Sequence, residues 1–173
     1  VLFRSGAAVS MPYPSLTSNL HHEIELVVAI GKGGKNIPAA QAMEHIWGYA
    51  VGLDMTRRDL QNEMKKQGRP WCIGKAFKAS APISAITPAA QAGEVERADI
   101  WLQVNGQDRQ RSNVNQLIWN IAETIEHLSH AWELQPGDLI MTGTPEGVGA
   151  VQTGDVLEGG ISGLGALRVN ITA

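Results

Sequence analysis

The pattern of apolar and polar residues predicts a chain of short strands joined by tight turns. Residues 22–30 begin with the alternation of a half-buried strand and continue into an apolar run. A second apolar strand is predicted over 47–54. Residues 99–112 predict a hairpin, because Asn105-Gly106 is a residue pair that favours a two-residue hairpin turn. Two more strands are expected in the C-terminal tail.

Helices are expected to be few and short. One is predicted over 39–45, and a second begins at Thr56, whose hydroxyl with Asp59 resembles a capping box, and ends at Gly68. A third is predicted within 115–132, where four apolar residues share a helical face: Ile118, Ile121, Ile125 and Leu128. Regular crossover helices do not separate the strands, so the pattern favours an α+β, mainly β fold over a doubly wound sheet.

Chain length and net charge limit the number of domains and the possible partners. A chain of 173 residues is expected to form one domain over 1–173. Its net charge of −3 gives no support for a nucleic-acid partner or an anionic membrane surface. No apolar run reaches the roughly 18 residues of a membrane span. Cys72 is the single cysteine, which fits a reducing compartment such as the cytoplasm.

Candidate chemistry starts with two acidic residues in the first strand. Glu23 and Glu25 lie on the same face, roughly 7 Å apart along the strand, so their charges repel unless water or a cation screens them. Asp54, at the end of the second strand, is a third carboxylate. Three oxygen ligands suit a hard cation such as Mg²⁺, Mn²⁺ or Ca²⁺. In the simpler interpretation, both glutamates are solvated and Asp54 caps a helix.

Five segments, in this order along the chain, carry a resemblance to a known family: HHEIELVVAIGKGGKNIP, GYAVGLDMTRRDLQ, GRPWCIGKAF, VNGQDRQ and LQPGDLIMTGTPEGVG. Together they resemble the fumarylacetoacetate hydrolase family, in particular its acylpyruvase and oxaloacetate decarboxylase branch. The resemblance implies a mixed β-roll of several sheet layers with short helices, as a homodimer. It also implies that Glu23, Glu25 and Asp54 bind one Mg²⁺ or Mn²⁺ and that the substrates are short 2-keto acids.

The same resemblance implies roles for four other residues. Lys75 matches the family's active-site lysine, where a cation stabilises a developing enolate. Arg58 and Gln61 match residues that contact the polar end of the substrate. Thr144, with the backbone N–H groups of its glycine-rich loop, is expected to bind a carboxylate. The alternatives are an exposed strand lysine, a solvated helix face and a plain turn.

The reaction implied is hydrolytic cleavage of a C–C bond in a 2,4-diketo acid, which leaves pyruvate enolate. Decarboxylation or tautomerisation of oxaloacetate is the alternative, and a catalytically silent metal-binding fragment is another. Family members draw their general base from a His and a Glu on an N-terminal segment that has no match in this sequence. We therefore assign no general base, and expect residues 1–173 to be a catalytic domain without that lid segment. Hydrolysis is expected to be weak if this chain is complete.

The remaining polar residues are expected to have structural roles. His22 points to the core side of its strand and is expected to be a hydrogen-bonded structural histidine, while His21 shares the glutamate face and can orient a ligand. Arg57 is expected on a solvated helix face. Cys72 lacks an adjacent base and is expected to be an inert, buried thiol. The tryptophans are expected mostly in the core, and the other histidines at the surface or at helix caps: His45, His127 and His130.

Overall fold

The computed structural model describes residues 9–173, so residues 1–8 of the predicted domain lie outside the described part of the chain. Within that part, twelve strands form three sheets. The strands are β1 (Val9–Pro12), β2 (Leu20–His22), β3 (Ile24–Ile30), β4 (Ile46–Leu53), β5 (Thr56–Arg57), β6 (Thr87–Pro88), β7 (Asp99–Val104), β8 (Gln107–Asn113), β9 (Leu139–Met141), β10 (Gly149–Val151), β11 (Val156–Ile161) and β12 (Gly165–Thr172).

The helices are short and lie between the strands. They are α1 (Ala39–Ala42), α2 (Arg58–Lys66), α3 (Cys72–Lys75) and α4 (Ile121–Ala131). Single 3₁₀ turns occupy Met43–His45, Ala89–Gln91, Val95–Arg97 and Val114–Gln116. The predicted α+β, mainly β architecture is confirmed.

The three sheets differ in size and share one core. The five-stranded sheet has the order β1-β12-β11-β7-β8, in which β1 and β12 are parallel and the other pairs are antiparallel. A four-stranded antiparallel sheet has the order β6-β4-β3-β9, and a three-stranded one the order β10-β2-β5. The second and third sheets meet at the junction of β2 and β3, where the predicted acidic residues lie.

Strand β3 is buried on both faces. Leu26 and Val28 pack into the main core, which also takes side chains from β7, β11 and β12. On the opposite face, Val27 packs with Ala50 and Ile83 in a smaller cluster. Because both faces are covered, all seven residues of β3 are buried, and Glu25 is removed from water with them.

The predicted strand over 22–30 and the predicted hairpin are largely confirmed. The strand is interrupted at one residue, Glu23, which separates β2 from β3. Asn105 and Gly106 join β7 to β8 with positive φ angles of 53° and 76°, as a type I′ turn requires. The two expected C-terminal strands are β11 and β12, an antiparallel pair.

The predicted capping box at Thr56 is wrong. Helix α2 begins at Arg58, and Arg57 at its N-cap makes no side-chain cap hydrogen bond. Asp59 instead accepts hydrogen bonds from Thr17 Oγ1 and Ser18 N–H in the segment before β2. The capping box in this structure belongs to α4, where Asn120 and Glu123 form it. Asp59 thus ties α2 to a distant segment and does not cap its own helix.

The predicted apolar face of α4 is shorter than expected. The helix begins at Ile121, and Ile118 lies before it with 98% of its surface exposed. Ile121 and Ile125 are buried and hold the helix on the core. Over residues 9–173, the structure contains no helix with the length and apolar character needed to cross a membrane.

Candidate metal centre

Strand pairing brings the three predicted carboxylates together. In the antiparallel register of β3 and β4, Ile24 faces Leu53, so the residues just outside this pair, Glu23 and Asp54, are neighbours. The Asp54 N–H donates to the Glu23 carbonyl oxygen over 2.9 Å. One carboxylate oxygen from each of Glu23, Glu25 and Asp54 lies within 4.8 Å of the others. We call these three residues the carboxylate cluster.

The cluster is partly buried and is contacted by two cationic side chains. Glu23 and Glu25 are 7% and 4% exposed, whereas the side chain of Asp54 is 24% exposed. Arg58 donates to Glu23 Oε1. The Lys75 ammonium lies 2.7 Å from Glu23 Oε2 and 2.6 Å from Asp54 Oδ2. Three acidic groups thus face two positive charges.

The pKa values of Glu25, Asp54 and Lys75 reflect that imbalance. Burial raises the pKa of Glu25 to about 7; the hydrogen bond from Gly143 N–H opposes the rise, and the charges of Asp54 and Glu23 add to it. Burial also raises the pKa of Asp54, although Lys75 opposes it. Burial alone would lower the pKa of Lys75, but its bonds to Asp54 and Glu23 outweigh this and raise it. A cation close to Glu25 and Asp54 would therefore stabilise their ionised forms.

This donor set fits a hard divalent cation. The ligand atoms are all oxygens, they converge from two backbone segments, and the Lys75 ammonium already bridges two of them as a stand-in cation. Among residues 9–173, no other group of three His, Cys, Asp or Glu side chains has ligand atoms that converge in this way. The alternative of solvated glutamates does not match their burial.

Helix α3 places Lys75 beside the cluster, which rules out the exposed strand lysine. Gly74, one residue earlier, packs closely against α2: a Cβ atom at Gly74 would lie 3.1 Å from Gln61 Cβ. A larger side chain there would push the two helices apart. The short turn Cys72–Lys75 therefore holds the ammonium at the cluster through its tight contact with α2.

Arg58 and Gln61 also lie at this site. Both project from the first turn of α2, and Arg58 donates to Gln61 Oε1 as well as to Glu23. Gln61 is buried, so the solvated helix face considered for it is wrong. His21 Nδ1 accepts a 3.4 Å hydrogen bond from Arg58 Nε, which places this histidine behind the guanidinium.

The glycine-rich loop after β9 closes another side of the site. Gly143 has a φ of +105°, and its N–H donates to Glu25 Oε2 over 2.8 Å. Gly147 has a φ of +96° and comes so close to β8 that a Cβ atom would lie 2.1 Å from the Arg109 carbonyl oxygen. Thr144 therefore lies on a loop held to Glu25 at one end and to β8 at the other.

A family sequence model matches nearly the whole chain. The model described as "Fumarylacetoacetate (FAA) hydrolase C-terminal" matches residues 1–172. The chain belongs to the fumarylacetoacetate hydrolase family.

Relatives within the family share most of their length with this chain. A fumarylpyruvate hydrolase from Ralstonia sp is 52% identical over 170 residues, which are 98% of this chain and 87% of that protein. The mitochondrial oxaloacetate tautomerase FAHD1 of Homo sapiens is 44% identical over 166 residues, which are 96% of this chain and 74% of that one.

A solved structure in the family shows the same fold. The crystal structure of fumarylpyruvate hydrolase from Pseudomonas aeruginosa, in complex with Mn²⁺ and pyruvate, has a TM-score of 0.95 and 60% sequence identity. The match covers 97% of this chain and 72% of that one.

Gln110 is a residue at this site that sequence reasoning missed. It lies in the VNGQDRQ segment that carries part of the family resemblance, yet its side chain was not expected to matter. It is 1% exposed, and its amide contacts both the strand that holds Glu23 and the loop that holds Thr144. No local signal singles it out, because all seven residues of β8 (Gln107–Asn113) are polar.

Several other expectations are wrong. Arg57 is buried in β5 and stacks on the Phe77 ring at 4.5 Å, whereas a solvated side chain was expected. Cys72 is exposed, and His45 is buried with Nδ1 2.7 Å from the Lys32 carbonyl oxygen. Four tryptophans are largely exposed: Trp47, Trp71, Trp119 and Trp132. His22, by contrast, is buried and hydrogen-bonded as predicted.

A cavity of about 570 Å³ adjoins the loop. Thr142, Gly143 and Thr144 line it, together with side chains of the segment that precedes α4, but none of the three cluster carboxylates does. The lining mixes apolar side chains with charged ones such as Arg111 and Glu146.

Proposed function

We propose that this protein is a hydrolase, dependent on Mg²⁺ or Mn²⁺, that cleaves a C–C bond in short 2,4-diketo acids of the acylpyruvate or fumarylpyruvate type. One molecule of water and one of substrate yield a carboxylic acid and pyruvate. The observation that carries the proposal is the convergence of three carboxylates, two of them buried, beside Lys75, in a chain 52% identical to a fumarylpyruvate hydrolase.

The residues of the cluster have distinct tasks in this reaction. Glu23, Glu25 and Asp54 would hold the ion. When bound, the ion would act as a Lewis acid and stabilise negative charge on a keto-acid oxygen. Lys75 is the catalytic residue: its ammonium adds a second positive charge beside the oxygen on which charge develops. Because Lys75 bonds Glu23 and Asp54 in this structure, it is already held at the ligands.

The substrate-binding residues flank the ion ligands. Arg58 and Gln61 bind the polar end of the keto acid from the α2 side. Arg58 donates hydrogen bonds to both Gln61 and Glu23, so the two side chains lie beside an ion ligand. Thr144 takes a substrate oxygen from the loop side, near the Gly143 N–H that bonds Glu25. Side chains from α2 and from the glycine-rich loop therefore orient the substrate at the ion.

We further propose that residues 1–173 form a single catalytic domain, which acts as a homodimer in the cytoplasm. Support for the dimer comes from large apolar side chains left in water, including Ile118 at 98% and Trp132 at 64% exposure. The exposed Cys72 thiol, alone in the sequence, suits a reducing compartment.

A second candidate activity is the tautomerisation or decarboxylation of oxaloacetate. It is favoured by the 44% identity to the mitochondrial oxaloacetate tautomerase. In both reactions negative charge develops on the oxygens of a 2-keto acid, so the cluster and Lys75 would serve either. A silent protein that binds the ion without turnover is a third possibility.

Parallel assays separate these activities. The purified protein is tested on acetylpyruvate, fumarylpyruvate and oxaloacetate, with Mn²⁺ or Mg²⁺ and with EDTA, beside Glu25→Gln as the inactive control. We expect turnover of a diketo acid that EDTA abolishes. Turnover of oxaloacetate alone would favour the second activity, and Mn²⁺ binding without any turnover would overturn both.

A further inference from the structure

The buried amide of Gln110 joins the two halves of the site. Its Oε1 lies 3.1 Å from Ile24 N and 2.9 Å from His22 Nδ1, the residues on either side of Glu23. Its Nε2 lies 2.8 Å from Thr144 Oγ1 and 2.8 Å from the Pro145 carbonyl oxygen. One side chain on β8 thus contacts both the strand of the carboxylate cluster and the loop of Thr144.

Two backbone groups determine which way this amide points. The Ile24 N–H can only donate, and the Pro145 carbonyl can only accept. Oxygen Oε1 must therefore face Ile24, and the NH₂ group must face the loop. It follows that His22 donates from Nδ1 and that the Thr144 hydroxyl accepts from Gln110.

This orientation leaves the hydroxyl hydrogen of Thr144 available. A hydroxyl has one hydrogen to donate and two lone pairs. The Gln110 NH₂ group occupies a lone pair, and Thr144 donates to no group among residues 9–173. Thr144 is partly exposed and follows Gly143, whose N–H bonds Glu25. Its hydrogen can therefore point to an oxygen of a ligand at the cluster.

We propose that Gln110 is a positioning residue that acts through Thr144. It accepts from the backbone beside Glu23, donates to Thr144, and so presents the Thr144 hydroxyl as a hydrogen-bond donor to a carboxylate or keto oxygen of the substrate. This inference rests on the proposed function for the identity of that substrate. Gln110 itself touches neither substrate nor ion.

A double-mutant cycle tests this inference. KM and kcat for acetylpyruvate, the Kd of pyruvate with saturating Mn²⁺, and the Kd of Mn²⁺ alone are measured for Gln110→Met, Thr144→Val and the double variant. Each single change is expected to raise KM and the pyruvate Kd by roughly 10-fold to 100-fold, the range for a hydrogen bond to a charged group. The double variant should be no worse than the poorer single one, and the Mn²⁺ Kd should stay within about threefold.

Three further variants serve as controls. Thr144→Ser keeps the hydroxyl and should restore most of the pyruvate affinity. Gln103→Met, a glutamine on β7 whose amide bonds the exposed Asp108, should leave all constants unchanged. If Gln110→Met does not fold, Gln110→Glu retains the acceptor for Ile24 but replaces the NH₂ group by an oxygen that takes the Thr144 hydrogen, so it should raise the pyruvate Kd equally.

The outcomes keep the two proposals apart. Effects of Gln110→Met and Thr144→Val that multiply in the double variant, or a parallel loss of Mn²⁺ affinity, would overturn the positioning role. So would an unchanged KM in a folded Gln110 variant. A wild-type protein that fails to cleave acetylpyruvate contradicts the proposed function instead, and the pyruvate Kd values then still decide the role of Gln110.

Discussion

Two groups of side chains of metal-ligating type in this protein differ in structure. One is the carboxylate cluster of the sheet. The other lies on the outer face of α4, with glutamates four residues before histidines, a spacing that places them on one side of a helix. The α4 residues are Glu123, Glu126, His127 and His130.

The α4 side chains already have ordinary partners. Glu123 accepts from the Asn120 N–H and Glu126 from the Ala39 N–H. The His127 ring packs edge-on against Trp119 with 4.4 Å between ring centroids. Water and these partners stabilise the groups without an ion.

The sheet side chains are in the opposite position. Burial of Glu25 and its proximity to two other carboxylates make its ionised form costly, as its raised pKa shows. A cation relieves such a cost directly, and the Lys75 ammonium pairs with the other two carboxylates, Glu23 and Asp54, in this structure. Convergence and burial, more than residue type or spacing, distinguish a metal site from a polar surface.

The largest expected effect is the loss of the ion with Glu25→Gln. Removal of one buried ligand charge should abolish Mn²⁺ binding, measured by calorimetry, and lower turnover by at least about 1000-fold, because the Lewis acid is lost. Glu123→Gln on α4 is the matched control and should change neither quantity. Equal losses in both variants would remove the distinction between the clusters.

A smaller loss is expected from Lys75→Met. We expect kcat to fall by roughly 100-fold to 1000-fold, the usual effect of removing a group that stabilises transition-state charge. The Mn²⁺ affinity should be unchanged or higher, since the ammonium competes for Glu23 and Asp54. Lys66→Met, at the end of α2, is the control. A large drop in Mn²⁺ affinity would show that Lys75 supports the ligands and does not compete with the ion.

Ion binding should also appear as thermal stabilisation. At an Mn²⁺ concentration of about 100 times Kd the folded state gains about 2.7 kcal/mol, which raises Tm by roughly 5–10 °C for a chain of this size. The shift should vanish in Glu25→Gln and persist in the double variant His127→Ala/His130→Ala. A shift that disappears with the histidines would place the ion on α4.

The smallest effect concerns a carboxylate outside both clusters. Burial alone would raise the pKa of Asp59, but hydrogen bonds from Thr17 and the Ser18 N–H outweigh it and lower the pKa. A lowered folded pKa stabilises the protein above the unfolded value of 3.8 and loses this effect as pH falls through the folded value.

Asp59→Asn should therefore lower Tm by roughly 2–4 °C at pH 7, the shift that about 1 kcal/mol produces. The difference from the wild type should shrink as pH falls below about 4, near the usual Asp pKa. Melting curves between pH 3 and pH 7 provide the measurement. A difference that stays constant across this range would show that the hydrogen bonds do not depend on the charge.

Features that depend on neighbouring residues along the chain were predictable from the sequence. The apolar runs located β3 and β4, and therefore the strand ends at which Glu23 and Asp54 occur. Asn105-Gly106 specified the β7–β8 turn, because few residues adopt two consecutive positive φ angles. The likeness of five segments to a known family added the roles of the carboxylates and of Lys75.

Contacts between distant segments became visible only in the folded structure. Gln110 meets His22 from 88 positions away along the chain and Thr144 from 34 positions away, and Arg57 is buried because α3 and Phe77 cover it. No local pattern encodes such pairs. The sequence does not show whether water or a distant backbone group will be the hydrogen-bond partner of a polar side chain. The partner is determined only when the chain folds.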